Sequence, residues 1–173
     1  MESLFLKVIL AGDGGVGKTT LLYRYVEDRF MNETKMTLGV DFMVKELIIK
    51  NYQVMLQIWD FGGQDHFRHL LHRYVLGARG AVLMFDLTRI TTLESTEEWV
   101  NICRTYDQDL PIIYLGTKYD LQELIMVDND LALNMKEKFN FIDYIKTSSK
   151  TGRNIEDAFE QLTLSILKRE NLI

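Results

Sequence analysis

The clearest chemistry in this chain lies between Gly12 and Thr19, where Gly12-Asp13-Gly14-Gly15-Val16-Gly17-Lys18-Thr19 fits the spacing G-x-x-x-x-G-K-[ST]. Glycines at these positions let the backbone curl until several N–H groups face one point, and a helix starting behind them adds its positive end. Such a cradle suits a phosphate. Lys18 supplies a mobile cation for terminal phosphates, and the Thr19 hydroxyl is a hard oxygen ligand for Mg²⁺. Asp60 closes the β-rich run Val54 to Trp59. A carboxylate at the carboxyl end of a strand lies on the phosphate side of such a sheet, where it would hold Mg²⁺ through a water. Gly62-Gly63, directly after it, would let a backbone N–H approach the last phosphate.

These residues need elements to position them. Leu4 to Leu10 reads as a buried strand ending at Gly12, and Thr19 to Val26 as the helix that follows. Asp28 to Gly39 loses periodicity and reads as a long functional loop. Val40 to Ile49 and Gln53 to Trp59, separated by Lys50-Asn51-Tyr52, form an antiparallel hairpin whose second strand ends at Asp60. Phe67 to Leu76 is a short helix, and Ala81 to Phe85 an apolar strand. Leu93 to Tyr106 predicts one helix capped by Thr91 or Thr92, with Leu93, Val100, Cys103 and Tyr106 apolar. Pro111 to Leu115 is a strand, Val127 to Phe139 a helix with Asp128 or Asp130 near its start, and Phe141 to Ile145 precedes a polar turn. Asn154 to Arg169 is the last helix, with Ile155, Ala158, Phe159, Leu162 and Ile166 as its apolar stripe. This alternation predicts an α/β fold of the P-loop NTPase kind. Its six-stranded, mostly parallel sheet has one antiparallel edge strand and helices on both faces, and the whole chain is a single domain.

Composition excludes several other classes. At 173 residues and 47% hydrophobic, the chain has room for one core. A single cysteine rules out a disulfide framework. A net charge of -5 argues against nucleic-acid binding while leaving a local phosphate site open. No apolar run has membrane-spanning length and the opening segment lacks an export signature, so the expected location is cytoplasmic, with any membrane recruitment through partners. The ending Asn171-Leu172-Ile173 offers no cysteine, and no direct lipid anchor is expected.

With these motifs in order, the sequence resembles the Ras-like small GTPases, especially the Rab-like branch, over essentially its whole length. Thr37-Leu38-Gly39-Val40-Asp41-Phe42 is similar to the first switch segment, and Trp59-Asp60-Phe61-Gly62-Gly63-Gln64-Asp65 to the second, with Phe61-Gly62 in place of the commoner Thr-Ala. Gly116-Thr117-Lys118-Tyr119-Asp120 resembles the guanine-specificity motif with threonine in place of asparagine, and Thr147-Ser148-Ser149-Lys150 the last guanine-contacting loop. The resemblance implies a site for GTP or GDP with Mg²⁺. Its nucleotide contacts would come from Asp13, Gly14, Gly15, Val16, Gly17, Lys18, Thr19 and Thr20, from Phe30 against the guanine face, and from Thr37, Asp60 and Gly63. At the base they would come from Thr117, Lys118, Asp120, Ser148, Ser149 and Lys150. The metal ligands implied are Thr19, Thr37 and Asp60, and the catalytic residues Gln64, Lys18 and Thr37. An amide such as Gln64 can accept from an attacking water and donate to the phosphoryl oxygen, the role that the resemblance implies for it. A carboxylate such as Asp120 accepts from the guanine N1–H and amine, which adenine cannot match.

The function implied is a molecular switch that hydrolyses GTP. Effectors, an exchange factor and an activating protein would meet it at the two switch segments. Gly14 leaves space for an incoming arginine, and no arginine of the chain is clearly placed to act in cis. The alternatives are a nucleotide-dependent binding module with negligible hydrolysis and a small-molecule or nucleoside kinase. The second is disfavoured by the 117–120 segment. His66, His69 and His72 lack the spacing of helical zinc ligands and read as helix-surface residues, while Cys103 reads as a small buried hydrophobe. Met31, Met36 and Met43 fall in or beside the first switch, and Phe42, Trp59 and Tyr74 could form an aromatic recognition patch exposed only in the GTP state.

Overall fold

Leu6, Val8 and Leu10 of the first strand point into one apolar core while Ile9 and Ala11 point into another, so a single short run feeds both faces of a sheet. The chain is seen in a computed structural model whose described residues are 1–31, 40–61 and 65–173, the last stretch without the side chains of 65–67. The strands are β1 (Glu2–Ala11), β2 (Val40–Ile49), β3 (Tyr52–Phe61), β4 (Gly80–Asp86), β5 (Ile112–Thr117) and β6 (Tyr144–Lys146). They lie in the order β2-β3-β1-β4-β5-β6. Only β2 runs antiparallel, paired with β3 at the sheet edge. The helices are α1 (Lys18–Glu27), α2 (Asp65–Tyr74), α3 (Ile90–Glu94), α4 (Thr96–Cys103), α5 (Asn129–Phe139) and α6 (Ile155–Arg169). Residues of α1 and α6 close the core that receives Val8, Val82 and Ile113. Residues of α2, α4 and α5 close the one that receives Ile9, Leu83 and Ile112. The expected six-stranded sheet with one antiparallel edge strand and helices on both faces is the fold observed.

The stripe expected of the last helix is buried in full, with Tyr25 of α1 stacked on Phe159 at 3.8 Å. Elsewhere the expected bounds shift. β3 continues through Asp60 to Phe61, because Phe61 is fully buried and Val40 pairs with it. The Lys50-Asn51 turn is tighter than a three-residue connection, with Lys50 at φ 54°. β6 begins at Tyr144 rather than Phe141, and α2 begins at Asp65.

The largest correction concerns Leu93 to Tyr106. The segment is two helices, begins at Ile90 behind an extended Arg89, and ends at Cys103. Neither Thr91 nor Thr92 caps it. The Thr92 hydroxyl donates to Arg89 O at 2.7 Å and Thr96 Oγ1 to Leu93 O at 2.5 Å, while Ser95 Oγ turns away to Asp13 Oδ2 at 2.8 Å. Hydroxyls that bond back to carbonyls compete with the helical ladder, and two of them, Thr92 and Thr96, flank the break at Ser95. Tyr106, expected on the apolar face, lies past the helix and is exposed. Cys103 is buried, and burial pushes its thiol up to about 12.

Candidate functional site

Five strands deliver their carboxyl ends to one edge of the sheet, and the residues there form the site. β1 leads into Gly12, whose φ is 141° and where a Cβ would sit 2.3 Å from Met84 O, so only glycine fits the turn. Lys18 opens α1 and is buried. Its Nζ donates to Gly12 O at 2.7 Å and Asp13 O at 2.9 Å, which holds the ammonium inside the curl of the loop. Burial pushes this ammonium down to about 8, and the carboxylates of Asp60 and Asp13 pull partly against that shift. The first turn of α1 carries no acidic residue and its N-cap, Gly17, makes no side-chain cap. Its leading N–H groups therefore face the site.

Thr19 Oγ1 donates to Asp60 Oδ2 at 2.5 Å, joining the start of α1 to the end of β3. A hydroxyl and a buried carboxylate this close to the phosphate loop form a hard-oxygen set of the kind Mg²⁺ takes. Beside them opens a cleft of about 340 Å³. Gly15, Val16 and Gly17 line it from the phosphate loop, Thr20 from α1, Phe30 and Met31 from one wall, Thr117, Lys118 and Asp120 from the end of β5, and Ser149 and Lys150 from the loop after β6.

Asp120 accepts from Ser148 Oγ at 2.8 Å, which orients the carboxylate from behind; Ser148 itself is buried and is absent from the cleft wall. Lys118, at φ 62°, extends its Nζ to Gly15 O at 3.0 Å and to Asp86 Oδ2 at 2.8 Å. Burial alone would raise the Asp86 carboxyl. Hydrogen bonds from Lys118 and Thr88 outweigh it and hold the carboxyl below the usual carboxylate range. Thr117 Oγ1 donates to Val16 O at 2.7 Å and lies 3.0 Å from Phe85 O, tying β5 to the phosphate loop.

A family model for the Ras family matches residues 7–168. The chain belongs to the Ras family. Its relatives place it in the Rab-like branch. It is 38% identical over 169 residues to a protein named Ras-related protein Rab-2B from Dictyostelium discoideum, covering 97% of this chain and 83% of that one. It is 37% identical over 163 residues to Ras-related protein rab-11.1 of Caenorhabditis elegans, covering 94% and 77%. To Ras-related protein Rab-7a of Dictyostelium discoideum it is 34% identical over 175 residues, covering 98% and 86%.

Three residues expected at the site of this Ras-family chain, Thr37, Gly63 and Gln64, lie outside the described residues, as does Met36. Asp13 is present but differently employed. Its Oδ1 accepts from Arg68 Nη2 and Trp99 Nε1, both at 2.8 Å, and its Oδ2 from Ser95 Oγ at 2.8 Å, so the carboxylate faces the helices and only its backbone is left for a ligand. Among the described residues, nothing lies within 4 Å of where a Gly14 Cβ would stand. An arginine of the chain does reach the phosphate loop: Arg89 Nη2 donates to Gly14 O at 3.1 Å.

Arg24 is a further support that no motif announces. From α1 its Nε donates to Ser149 O at 2.7 Å and its Nη2 to Lys150 O at 2.8 Å, fixing the last loop of the site. The only trace of this in sequence is a cation on the outer face of the first helix. Phe42 and Trp59 stack with ring centres 5.0 Å apart, and Tyr74 lies 6.5 Å from Trp59. Phe42 and Tyr74 are exposed beside the hairpin, and Trp59 is half-buried. Met43 packs against the core, whereas Met31 lines the cleft. His69 and His72 are exposed on α2, and no group of three His, Cys, Asp or Glu suited to a metal occurs among the described residues. Among those residues no helix is long and apolar enough to cross a membrane.

Proposed function

We propose that the chain is a guanine-nucleotide switch that hydrolyses GTP to GDP and phosphate. The observation that carries this reading is the single cleft joining a phosphate loop, with Lys18 buried in its curl, to a carboxylate, Asp120, held in place by Ser148. Asp120 accepts from the guanine N1–H and amine, Lys118 packs its stem along the base, and Phe30 closes the opposite wall. Backbone N–H groups of the loop and of α1 take the phosphates, with Lys18 at the terminal ones. Magnesium, held by Thr19, Asp60 and Thr37, would supply charge neutralisation at the phosphate oxygens. Gln64 orients a water for in-line attack on the γ phosphorus, and the open space over Gly14 admits a partner's arginine. Loss of the γ phosphate releases Thr37 and Gly63, which changes what can dock at the Phe42, Trp59 and Tyr74 patch. Effectors, an exchange factor and an activating protein are the partners this surface serves.

Single-turnover hydrolysis by purified protein, loaded with GTP and started with Mg²⁺, tests the reading against Gln64→Leu. A measurable rate that the substitution abolishes is expected. Equal and negligible rates would replace the enzyme by a nucleotide-dependent binding module. Tighter binding of ATP than GTP would overturn the guanine assignment.

A further inference from the structure

Asp86 ends β4 with its side chain 1% exposed. Its Oδ2 receives two cations, Lys118 Nζ at 2.8 Å and Arg89 Nε at 3.1 Å, while Oδ1 accepts from Thr88 N at 2.8 Å and Thr88 Oγ1 at 2.6 Å. Each cation also caps a carbonyl of the phosphate loop. Lys118 Nζ takes Gly15 O at 3.0 Å, and Arg89 Nη2 takes Gly14 O at 3.1 Å. These carbonyls belong to consecutive peptide units. The Gly14 carbonyl shares its amide with the Gly15 N–H, and charge drawn toward the oxygen leaves that N–H a stronger donor.

We propose that Arg89 is a positioning residue for the nucleotide phosphates: anchored on Asp86, it acts through the Gly14–Gly15 peptide to orient and strengthen the Gly15 N–H as a phosphate donor. Two features of the geometry fit this role and no simple surface ion pair. The guanidinium is used as a fork, with Nε on the carboxylate and Nη2 on the carbonyl, a span that a lysine's point charge does not reproduce. Gly15 admits the approach. Its φ is 76°, and a Cβ there would stand 3.3 Å from Nη2. Arg89 and Lys118 thus form a pair of struts on one buried carboxylate, each bearing on one peptide of the loop.

The inference rests on the guanine-nucleotide reading of the cleft, and its test separates the two. Release of a fluorescent GDP analogue is timed for the full chain and for Arg89→Ala, Arg89→Gln and Arg89→Lys, and the bound diphosphate is followed by phosphorus NMR. Arg89→Ala and Arg89→Gln should speed release roughly ten-fold, the scale of one hydrogen bond to a charged group, with Arg89→Lys between them and wild type. The β-phosphorus resonance should move in Arg89→Ala, whereas the guanine imino proton, facing Asp120, should stay in place. Unchanged release in Arg89→Ala would overturn the proposal. So would faster release with an unmoved β-phosphorus resonance and a lowered melting temperature, which would make Arg89 a structural ion pair. If the wild-type chain takes up no GDP, both readings fall together.

Discussion

Replacing Thr117 by asparagine should slow GDP release and raise the melting temperature. The Thr117 hydroxyl has one proton and two carbonyls within reach, Val16 O at 2.7 Å and Phe85 O at 3.0 Å. Across the β5–β6 ladder, which pairs Gly116 with Lys146, the next position is Thr147, whose Oγ1 is buried with no partner among the described residues. An asparagine offers two N–H donors for the two carbonyls and an acceptor for the stranded hydroxyl. A buried polar group left unpaired costs about 1–3 kcal/mol, and the lost threonine methyl returns about 0.8 kcal/mol of that gain. The net is about 1 kcal/mol, equivalent to roughly 2–4 °C in Tm for a domain of this size and to roughly five-fold in a rate or equilibrium constant. Thermal unfolding with and without GDP, together with release of fluorescent GDP, reads both effects. Thr147→Val supplies the cross-check. Alone it removes the unpaired hydroxyl and should stabilise, but combined with Thr117→Asn it strands the new amide oxygen. The two gains should therefore fail to add. A melting temperature for Thr117→Asn at or below wild type, or full additivity in the double variant, would refute the reasoning.

Arg24→Ala removes two hydrogen bonds from the loop that carries Ser149 and Lys150. GDP release should quicken roughly ten-fold and amide exchange over 149–152 should rise, with unchanged exchange counting against the assignment. Asp13→Asn takes the carboxylate from Arg68, Trp99 and Ser95 while Arg68 keeps Glu98 at 2.6 Å. The Arg68 and Asp13 side chains are 15% and 17% exposed. The loss should thus be about 2 kcal/mol, below the roughly 3–5 kcal/mol of a wholly buried pair. Thermal unfolding should register it as a drop of roughly 4–8 °C, and an unshifted transition would contradict it.

Much of the architecture was written in local pattern. Residues 12 to 19 are contiguous, so the phosphate loop could be read without knowing the fold, and the apolar runs of β1, β4 and β5 announce strands buried on both faces. Asp60 was legible because position at a strand's end fixes which edge of a parallel sheet a residue occupies, and Asp120 because its segment resembles the guanine-specificity motif. The break at Ser95 was not, since hydroxyls of Thr92 and Thr96 turning back on carbonyls, and that of Ser95 turning out to Asp13, leave no mark in helical periodicity.

Tertiary structure alone decided the supports of the site. Arg24 meets Ser149, Arg68 meets Asp13, and Arg89 meets Gly14, pairs separated by many elements whose meeting depends on strand order and register. Spacing in a chain specifies what a residue can do with its near neighbours. The ties of these arginines, and the unpaired hydroxyl of Thr147, arise from distances set only when the sheet and its two helical layers have closed.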